Sequence, residues 1–365
     1  MSQTASESLE DVQGWSHLRQ HWLVIGPSGQ LVPGRPLAIT LMNLPLVLYR
    51  PTQDTQQVIA LVDRCPHRGA PLSAGQVLGD RLQCPYHGWQ FDRSGECVYR
   101  PGLSDQATCQ GKSSTVSTAP AIPTIEVCQQ HGLLLARLQP PANREAEPPA
   151  FRPWFADPTL DHFLWQETVH GKLVDVMENL LDATHTPFVH GGLIRSVGRE
   201  QTFQATVTVD TTRAEAHYTG EQQQSGWVSR LLEGERACSY GRYLPPATAE
   251  LEYRSHKGTE FVLNAFFAPI SPTEHRMTLV FFIRRNWIPR WLKRWTVTPL
   301  FRRVLKQDRT ILEKQQANRE RFAKFPQLAN DHSWDGDLLR GWIDYWMQHG
   351  HLPQQPHKAN IELHL

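Results

Sequence analysis

Two short Cys/His segments lie close together in the N-terminal third of the chain. The first reads CPHRGAPLSAG and the second reads QCPYHGW, and together they contain Cys65, His67, Cys84 and His87. Three kinds of site use such residues: a zinc site, a disulfide loop or an iron–sulfur cluster. Because each site would fix the backbone of both segments, this pattern constrains the fold more than any other feature of the chain.

The arrangement of the four residues favours a two-iron cluster. Zinc fingers usually place their cysteines in one pair and their histidines in another, whereas here each segment supplies one of each. A disulfide would leave both histidines unexplained. In a Rieske [2Fe-2S] cluster, two cysteines bind one iron and two histidines bind the other, which raises the reduction potential. Gly69 and Gly88 would let backbone N–H groups approach the cluster sulfurs.

A second set of candidate ligands occurs in the segment ENLLDATHTPFVH. The apolar pattern over 173–185 predicts a helix on which Asp182 and His185 share one face. We expect Pro187 to break this helix, so that His190 can fold back toward His185. Two histidines and one carboxylate form the ligand set with which non-haem iron(II) binds O2 beside a substrate. A histidine on a helix is also a common packing residue, and the neighbouring cluster motif is what favours the metal.

The N-terminal motif resembles the Rieske domain of ring-hydroxylating and demethylating non-haem iron oxygenases. The resemblance runs from about Trp22 through both Cys/His segments to GLLLARL at 132–138. It implies a terminal oxygenase component, O2 as co-substrate and a homotrimer. No GxGxxG follows a strand, so we expect NAD(P)H to act only through a separate reductase or ferredoxin.

The second motif resembles the mononuclear iron motif of the same family. By that resemblance His185 and His190 are iron ligands, and Asp182 bridges toward a cluster histidine of a neighbouring subunit. Asn179 corresponds to a residue near the iron. The family's late motif, an Asp followed by a Glu as in QDRTILEKQ, implies that Asp308 is the third ligand. The alternative for this Asp is an exposed charge on a helix.

The chain is expected to be α+β with two domains. The predicted parts are an all-β Rieske domain at 15–138, a Pro-rich linker at 139–153 and a catalytic domain at 154–365. The resemblance implies that the second domain is a helix-grip (START-like) antiparallel sheet whose helices carry the mononuclear iron. Further element predictions are strands at 36–50, 56–64, 203–209 and 276–284, and a helix at 298–322.

Composition excludes some functions. The chain has 37 basic and 36 acidic residues, which gives no bulk charge for nucleic-acid binding. The polar N-terminus predicts no signal peptide. The sequence contains no run of about 18 apolar residues, so no membrane-spanning helix is predicted. We therefore expect a cytoplasmic protein with reduced thiols. The cysteines expected to be ordinary thiols are Cys97, Cys109, Cys128 and Cys238.

The expected reaction is hydroxylation or oxidative demethylation of an apolar or aromatic small molecule. The strands at 261–268 and 276–284 are the expected pocket walls. A cis-dihydroxylating ring dioxygenase would use the same ligands and stays an alternative. Two alternatives of other classes are a Rieske electron carrier without oxygenase activity and a structural zinc protein.

The segment 284–303, RRNWIPRWLKRWTVTPLFRR, combines seven basic residues with three tryptophans. The favoured interpretation is a packed aromatic face with solvated charges. Docking of an acidic ferredoxin or reductase and weak contact with an anionic membrane surface are the functional alternatives.

Overall fold

The computed structural model describes most of the chain in two compact units. The first is built mainly from Arg19–Pro149, and the second from Ala150–Leu365 together with the short helix Trp15–Leu18. The described residues are 12, 14–102, 121–140, 151, 153–191, 202–220, 236–328 and 336–364. The predicted linker lies largely outside these residues.

The described part of the first unit consists of β-strands in three antiparallel sheets. The strands are β1 (Leu23–Pro27), β2 (Leu37–Leu41), β3 (Leu44–Tyr49), β4 (Ile59–Val62), β5 (Gln76–Leu78), β6 (Arg81–Gln83), β7 (Gln90–Phe91), β8 (Cys97–Tyr99), β9 (Glu126–Gln130) and β10 (Leu133–Arg137). The sheet orders are β1-β10-β9, β2-β3-β4 and β5-β6-β7-β8. The strand predicted at 36–50 is a hairpin, because Met42 and Asn43 adopt positive φ and reverse the chain between β2 and β3.

The core of the first unit surrounds the cysteines of both Cys/His segments. Cys65 and Cys84 are buried in one cluster with apolar side chains of β3, β4, β6 and β7. Cys97 belongs to the same cluster and is disulfide-bonded, so the prediction of a free thiol at this position is wrong. Cys109 lies outside the described residues.

The second unit is an antiparallel sheet with helices packed on it, which confirms the predicted α+β class. Its helices are α1 (Trp15–Leu18), α2 (Leu173–Leu181), α3 (Thr186–Val189), α4 (Arg290–Phe322) and α5 (Arg340–His349). Its strands are β11 (Leu160–His170), β12 (Thr202–Val209), β13 (Ala214–Thr219), β14 (Arg236–Leu244), β15 (Thr248–Ser255), β16 (Gly258–Ser271), β17 (Glu274–Arg284) and β18 (His357–His364). They form one eight-stranded sheet in the order β11-β17-β16-β15-β14-β13-β12-β18.

Helix α2 is held between the sheet and two other helices. Its apolar stripe of Leu173, Val176, Met177 and Leu181 is buried and faces the sheet. On another side of α2, the buried carboxylate of Asp175 accepts hydrogen bonds from Arg319 on α4 and Arg340 on α5. A buried charge is tolerated only when it is paired in this way, so α2 has one fixed position relative to α4 and α5.

Helix α4 begins before its predicted start. Pro289 is its N-cap, and Pro299 lies inside the helix. The interpretation of the tryptophans of segment 284–303 as a packed aromatic face is wrong, since Trp287, Trp291 and Trp295 are all exposed. Among the described residues, no helix has the length and apolar character needed to cross a membrane.

Candidate active site

The two Cys/His segments form a pair of similar loops. In each loop the cysteine N–H donates to the carbonyl five residues later, and both N···O distances are 2.8 Å. Gly69 and Gly88 donate back to the carbonyls of Cys65 and Cys84 over 2.8 and 3.2 Å. Both glycines have φ near +70°, at 73° and 70°, a conformation that costs glycine little. The loops therefore close tightly around their cysteines.

The side chains of the two loops separate by type. Cys65 and Cys84 are buried and not disulfide-bonded, whereas His67 and His87 are exposed, with ring centroids 4.6 Å apart. Burial, reinforced by the neighbouring Cys84 thiol, raises the pKa of Cys65 to about 11. The plane of His67 is stacked on Trp89. Thiols directed inward and imidazoles directed outward fit a [2Fe-2S] cluster with one sulfur-ligated and one imidazole-ligated iron.

The chain turn after α2 differs from its prediction. Helix α2 ends at Leu181, and Asp182 has an extended backbone. Asp182 Oδ1 accepts hydrogen bonds from Thr184 N and Oγ1 at 2.6 and 2.7 Å, and Oδ2 accepts from His185 N at 3.0 Å. Asp182 and His185 therefore do not share a helix face. An aspartate can replace helical hydrogen bonds with bonds to the backbone two or three residues ahead, and here that turn brings the two residues together.

The role predicted for Pro187 is also wrong. Pro187 does not break a helix but lies in the first turn of α3. Backbone N–H groups in the first turn have no helical acceptor, so a proline there costs no hydrogen bond. His185 precedes this short helix and His190 follows it. One helical turn therefore brings their Nε2 atoms to 3.3 Å from each other.

The late carboxylate lies beside both imidazoles. Asp308 Oδ1 on α4 is 2.8 Å from His190 Nε2 and 3.5 Å from His185 Nε2. The ligand atoms of the three residues all lie within 4.8 Å of one another. Two donors, each about 2.1 Å from one ion with bonds at right angles, would be about 3 Å apart. The observed separations are therefore suitable for a single metal ion.

Hydrogen bonds on the far side of each imidazole orient its Nε2 toward the centre. His185 Nδ1 is 3.3 Å from Asp182 Oδ2, and His190 Nδ1 is 3.0 Å from Gln307 Oε1. Because both oxygens are acceptors, each Nδ1 carries a proton, and Nε2 is the atom that each imidazole would offer to a metal ion. Asp308 Oδ1 is buried and has no well-formed hydrogen bond. Three unshared donors of this kind fit a non-haem iron(II) site.

Charge in this group favours a cation. Burial would raise the pKa of Asp308, but the neighbouring His185 and His190 outweigh it and lower that pKa below its ordinary value. Burial would lower the pKa of His185, but Asp182 and Asp308 raise it to about 9. Two carboxylates around two imidazoles therefore stabilise positive charge at the position where the Nε2 atoms meet.

Sequence reasoning does not identify Gln307. Neighbouring residues on a helix point about 100° apart, so helical spacing gives no reason to assign Gln307 and Asp308 to one site. Both reach the site because His190 lies against the side of α4. The available signal is the residue pair itself, an amide directly before a candidate ligand.

A cavity of about 430 Å³ lies beside Asp308, between α2, α4, β11 and β17. Asn179 and Asp308 both line it, as does Glu313, which pairs with Arg309 at 2.6 Å. Its apolar lining includes Trp165, Val169, Val176, Leu180, Met277 and Leu305.

The predicted cavity walls are only partly correct. The strand predicted at 276–284 contributes Met277, but no described residue of 261–268 lines this cavity. Phenylalanines of that second segment are buried in the core instead, and Phe261 stacks on Phe301 of α4 at 5.5 Å. Strand β16 lies inside the sheet, where helix α2 packs on it and Phe301 of α4 covers Phe261.

Two segments of the chain match known domain families. Residues 21–120 match the Rieske [2Fe-2S] domain, and residues 169–337 match the vanillate O-demethylase oxygenase C-terminal domain. Protein TIC 55, chloroplastic, of Arabidopsis thaliana is 30% identical over 224 residues, 60% of this chain and 39% of that protein. The oxygenase component of dicamba O-demethylase of Stenotrophomonas maltophilia is 46% identical over 84 residues, 23% of this chain and 24% of that protein. The matched stretches thus span less than half of these relatives.

The fold has solved counterparts. The crystal structure of dicamba monooxygenase bound to dicamba matches with a TM-score of 0.72 and 20% identity, over 91% of this chain and 96% of that one. This likeness shows the shared fold. The two matched domains, a Rieske [2Fe-2S] domain followed by an oxygenase C-terminal domain of the vanillate O-demethylase type, therefore give the chain the domain composition of a Rieske-type oxygenase.

Proposed function

We propose that the chain is a terminal oxygenase component that hydroxylates or oxidatively demethylates a small molecule. The observation that carries the proposal is the convergence of His185, His190 and Asp308 beside a cavity large enough for such a substrate. The proposed iron(II) ligands are these three residues, and the proposed cluster ligands are Cys65, His67, Cys84 and His87. When bound, the cluster supplies single electrons and the iron(II) activates O2.

The side chains of the protein hold the metal ligands in position and orient the substrate. Asp182 and Gln307 fix the imidazole tautomers, and the loops around Cys65 and Cys84 shield the thiolates from water. Asn179 and the apolar lining place the substrate beside Asp308. By family resemblance we also propose a homotrimer, an external reductase or ferredoxin, and electron delivery across a subunit boundary through Asp182.

The cavity refines the expected substrate. Besides its apolar lining it contains three basic residues, Arg302, Lys306 and Arg309, which recur at helical spacing on one face of α4. Its acidic lining consists of Glu167, Glu313 and the proposed ligand Asp308. Arg302 lies over the Trp165 ring at 5.3 Å, and Arg309 pairs with Glu313. The Lys306 ammonium has no acidic partner among the described residues. We infer that the substrate is an aromatic or apolar molecule carrying an anionic group, such as a carboxylate.

The proposal is tested by electron paramagnetic resonance of anaerobic, dithionite-reduced protein with and without nitric oxide. We expect a Rieske-type signal in both samples and a high-spin iron nitrosyl signal only with nitric oxide. His185→Ala is expected to lose the nitrosyl signal and one iron per chain while keeping the Rieske signal. The matched control is His256→Ala, an exposed histidine on the second unit.

Two outcomes would overturn parts of the proposal. A Rieske signal without a nitrosyl species in fully iron-loaded wild-type protein would favour the electron carrier. Full turnover by His185→Ala would remove that residue from the ligand set. Product analysis separates the reactions: formaldehyde release indicates demethylation, and a cis-diol indicates the dioxygenase alternative.

A further inference from the structure

Three exposed tryptophans, at the start of α4 and just before it, make up what we call the tryptophan row. Trp287, Trp291 and Trp295 have 89%, 69% and 77% of their surface exposed. Trp291 and Trp295 are four residues apart in α4, which places them along one edge of its first turns, and Trp287 precedes the helix by three residues. A tryptophan buries about 150–250 Å² when it is covered, so this tryptophan row offers several hundred Å² of apolar surface. Contiguous patches of that size usually mark an interaction site.

Within the second unit, Trp291 and Trp295 face away from the side on which α4 packs. Helix α4 packs through Lys293, Val297 and Leu300, which are buried. On a helix with about 100° between residues, Trp291 and Trp295 lie on the side opposite these three. Lys293 Nζ also binds Asp161 Oδ2 at 2.7 Å and the Arg284 carbonyl at 2.8 Å. The row is therefore a convex ridge on an anchored helix.

The charged residues in the first turns of α4 all have one sign. No acidic residue occurs between Glu274 and Asp308 in the sequence. Arg290 and Arg294 alternate with the tryptophans, are exposed, and form no ion pair among the described residues. The whole chain has a net charge of only +1, so this positive potential is local to the ridge.

These features match the requirements of a lipid surface. Indole rings favour the headgroup level of a bilayer, where the apolar ring is buried and the N–H stays hydrated. Helices that lie in this interface combine tryptophan with basic residues that attract anionic lipids. A ridge can insert between headgroups without a matching groove. We propose that this ridge adsorbs the protein peripherally to anionic lipid bilayers.

The test is co-sedimentation of the full-length holoprotein with vesicles. One vesicle set contains phosphatidylglycerol and phosphatidylcholine in equal parts, and the other contains phosphatidylcholine alone. We expect binding to the anionic set that falls as salt is raised. The triple variant Trp287→Ala, Trp291→Ala, Trp295→Ala is expected to lower the partition coefficient at least about tenfold. Arg290→Ala with Arg294→Ala is expected to weaken binding to the anionic vesicles alone.

The matched control is Phe325→Ala with Leu328→Ala, two exposed apolar side chains beyond the other end of α4. Equal vesicle binding by the triple variant and this control would overturn the proposal, as would no binding at low salt. If the wild-type protein does not bind vesicles and the triple variant has a different oligomeric mass, the ridge is instead a contact with a second copy of the chain. Salt-sensitive binding of an acidic ferredoxin, lost in the triple variant without any vesicle binding, would assign it to that partner. None of these measurements depends on turnover.

Discussion

His190 and Gln307 are joined by a hydrogen bond between Nδ1 and Oε1, 3.0 Å long, although they are far apart in sequence. The bond fixes His190 to the helix that also supplies Asp308. It also keeps the proton on Nδ1, so Nε2 is directed toward Asp308. The imidazole and the carboxylate thus depend on one helix for their relative position.

Replacing Gln307 with leucine is expected to weaken mononuclear metal binding about 10- to 100-fold, as loss of an outer hydrogen bond to a metal ligand does elsewhere. Leucine has a similar size but cannot accept the Nδ1 proton. The measurement is titration of iron-depleted protein with Co(II). Gln315→Leu, an exposed position on the same helix, is the control. Equal affinities in the two variants would show that His190 needs no such partner.

Asp182→Asn is expected to retain both metal centres and to slow cluster oxidation in a single turnover at least about tenfold. The amide lacks the charge that attracts the His185 Nδ1 proton at 3.3 Å. The rate is followed by the visible spectrum of the prereduced protein after mixing with substrate and O2. Thr184→Val removes one hydrogen bond to the same carboxylate and keeps its charge. If Asp182→Asn is as fast as Thr184→Val, the bridging role is refuted.

Lys306→Glu is expected to raise KM for a methoxylated aromatic carboxylate at least about tenfold and to change kcat much less. Charge reversal at the cavity wall opposes the substrate anion in both ground and transition states, so it mainly affects binding. Formaldehyde release is the assay. Lys314→Glu reverses an exposed charge on α4 that does not line the cavity. Matching KM values for the two variants, or a preference for the uncharged methyl ester, would reject the anionic substrate.

His275 predicts an acid-sensitive fold. Its side chain is fully buried, and Nε2 bonds to the Gly171 carbonyl at 2.9 Å. Burial, opposed by that bond and aided by His170, lowers the pKa of His275 to about 4. The unfolded histidine has a pKa of about 6.5. The unfolded chain therefore takes up the proton first as pH falls from 6.5 toward 4, and the stability present above pH 6.5 is lost across that window.

The expected size of this effect is about 2 kcal/mol of unfolding free energy between pH 7.5 and pH 5. His275→Gln is expected to remove that part of the pH dependence, whatever its stability at neutral pH. Urea unfolding at both pH values measures it, with His256→Gln as the exposed control. The same pH dependence in all three proteins would mean that His275 does not stay neutral in the folded state.

Local sequence patterns carried the predictions for the Cys/His segments and for the strands. The spacing of Cys65 and Cys84 with their glycines already limits the backbone, and alternation along β12 sets which side chains are buried. The approach of Asp308 to His185 and His190 followed from family resemblance rather than spacing. These segments are far apart in sequence, and their contact depends on how α4 packs against the helices that carry the histidines. The periodicity of apolar residues does not specify that packing.

The failed predictions have local physical reasons. The helix expected through His185 ends at Leu181 because the Asp182 side chain bonds to the following backbone. The tryptophan row resembles an ordinary core stripe in sequence, but its side chains are exposed, and α4 packs instead through Lys293 and the apolar residues on the opposite side. Hydrophobic patterns assign a lysine to the exposed face of a helix, so they do not predict that Lys293 lies on the packed face.

Pro299 lies between Trp295 and Asp308 on α4, and because it has no N–H it leaves the Trp295 carbonyl without its usual helical donor. Even so, Trp295 and Asp308 lie on one continuous helix, about three and a half turns apart. Inserting or deleting a single residue between them would rotate the ridge by about 100° around the helix axis relative to the metal ligands. Exposed side chains in this stretch can therefore vary in evolution more readily than its length, and descendants of this sequence that keep both surfaces should align here without gaps.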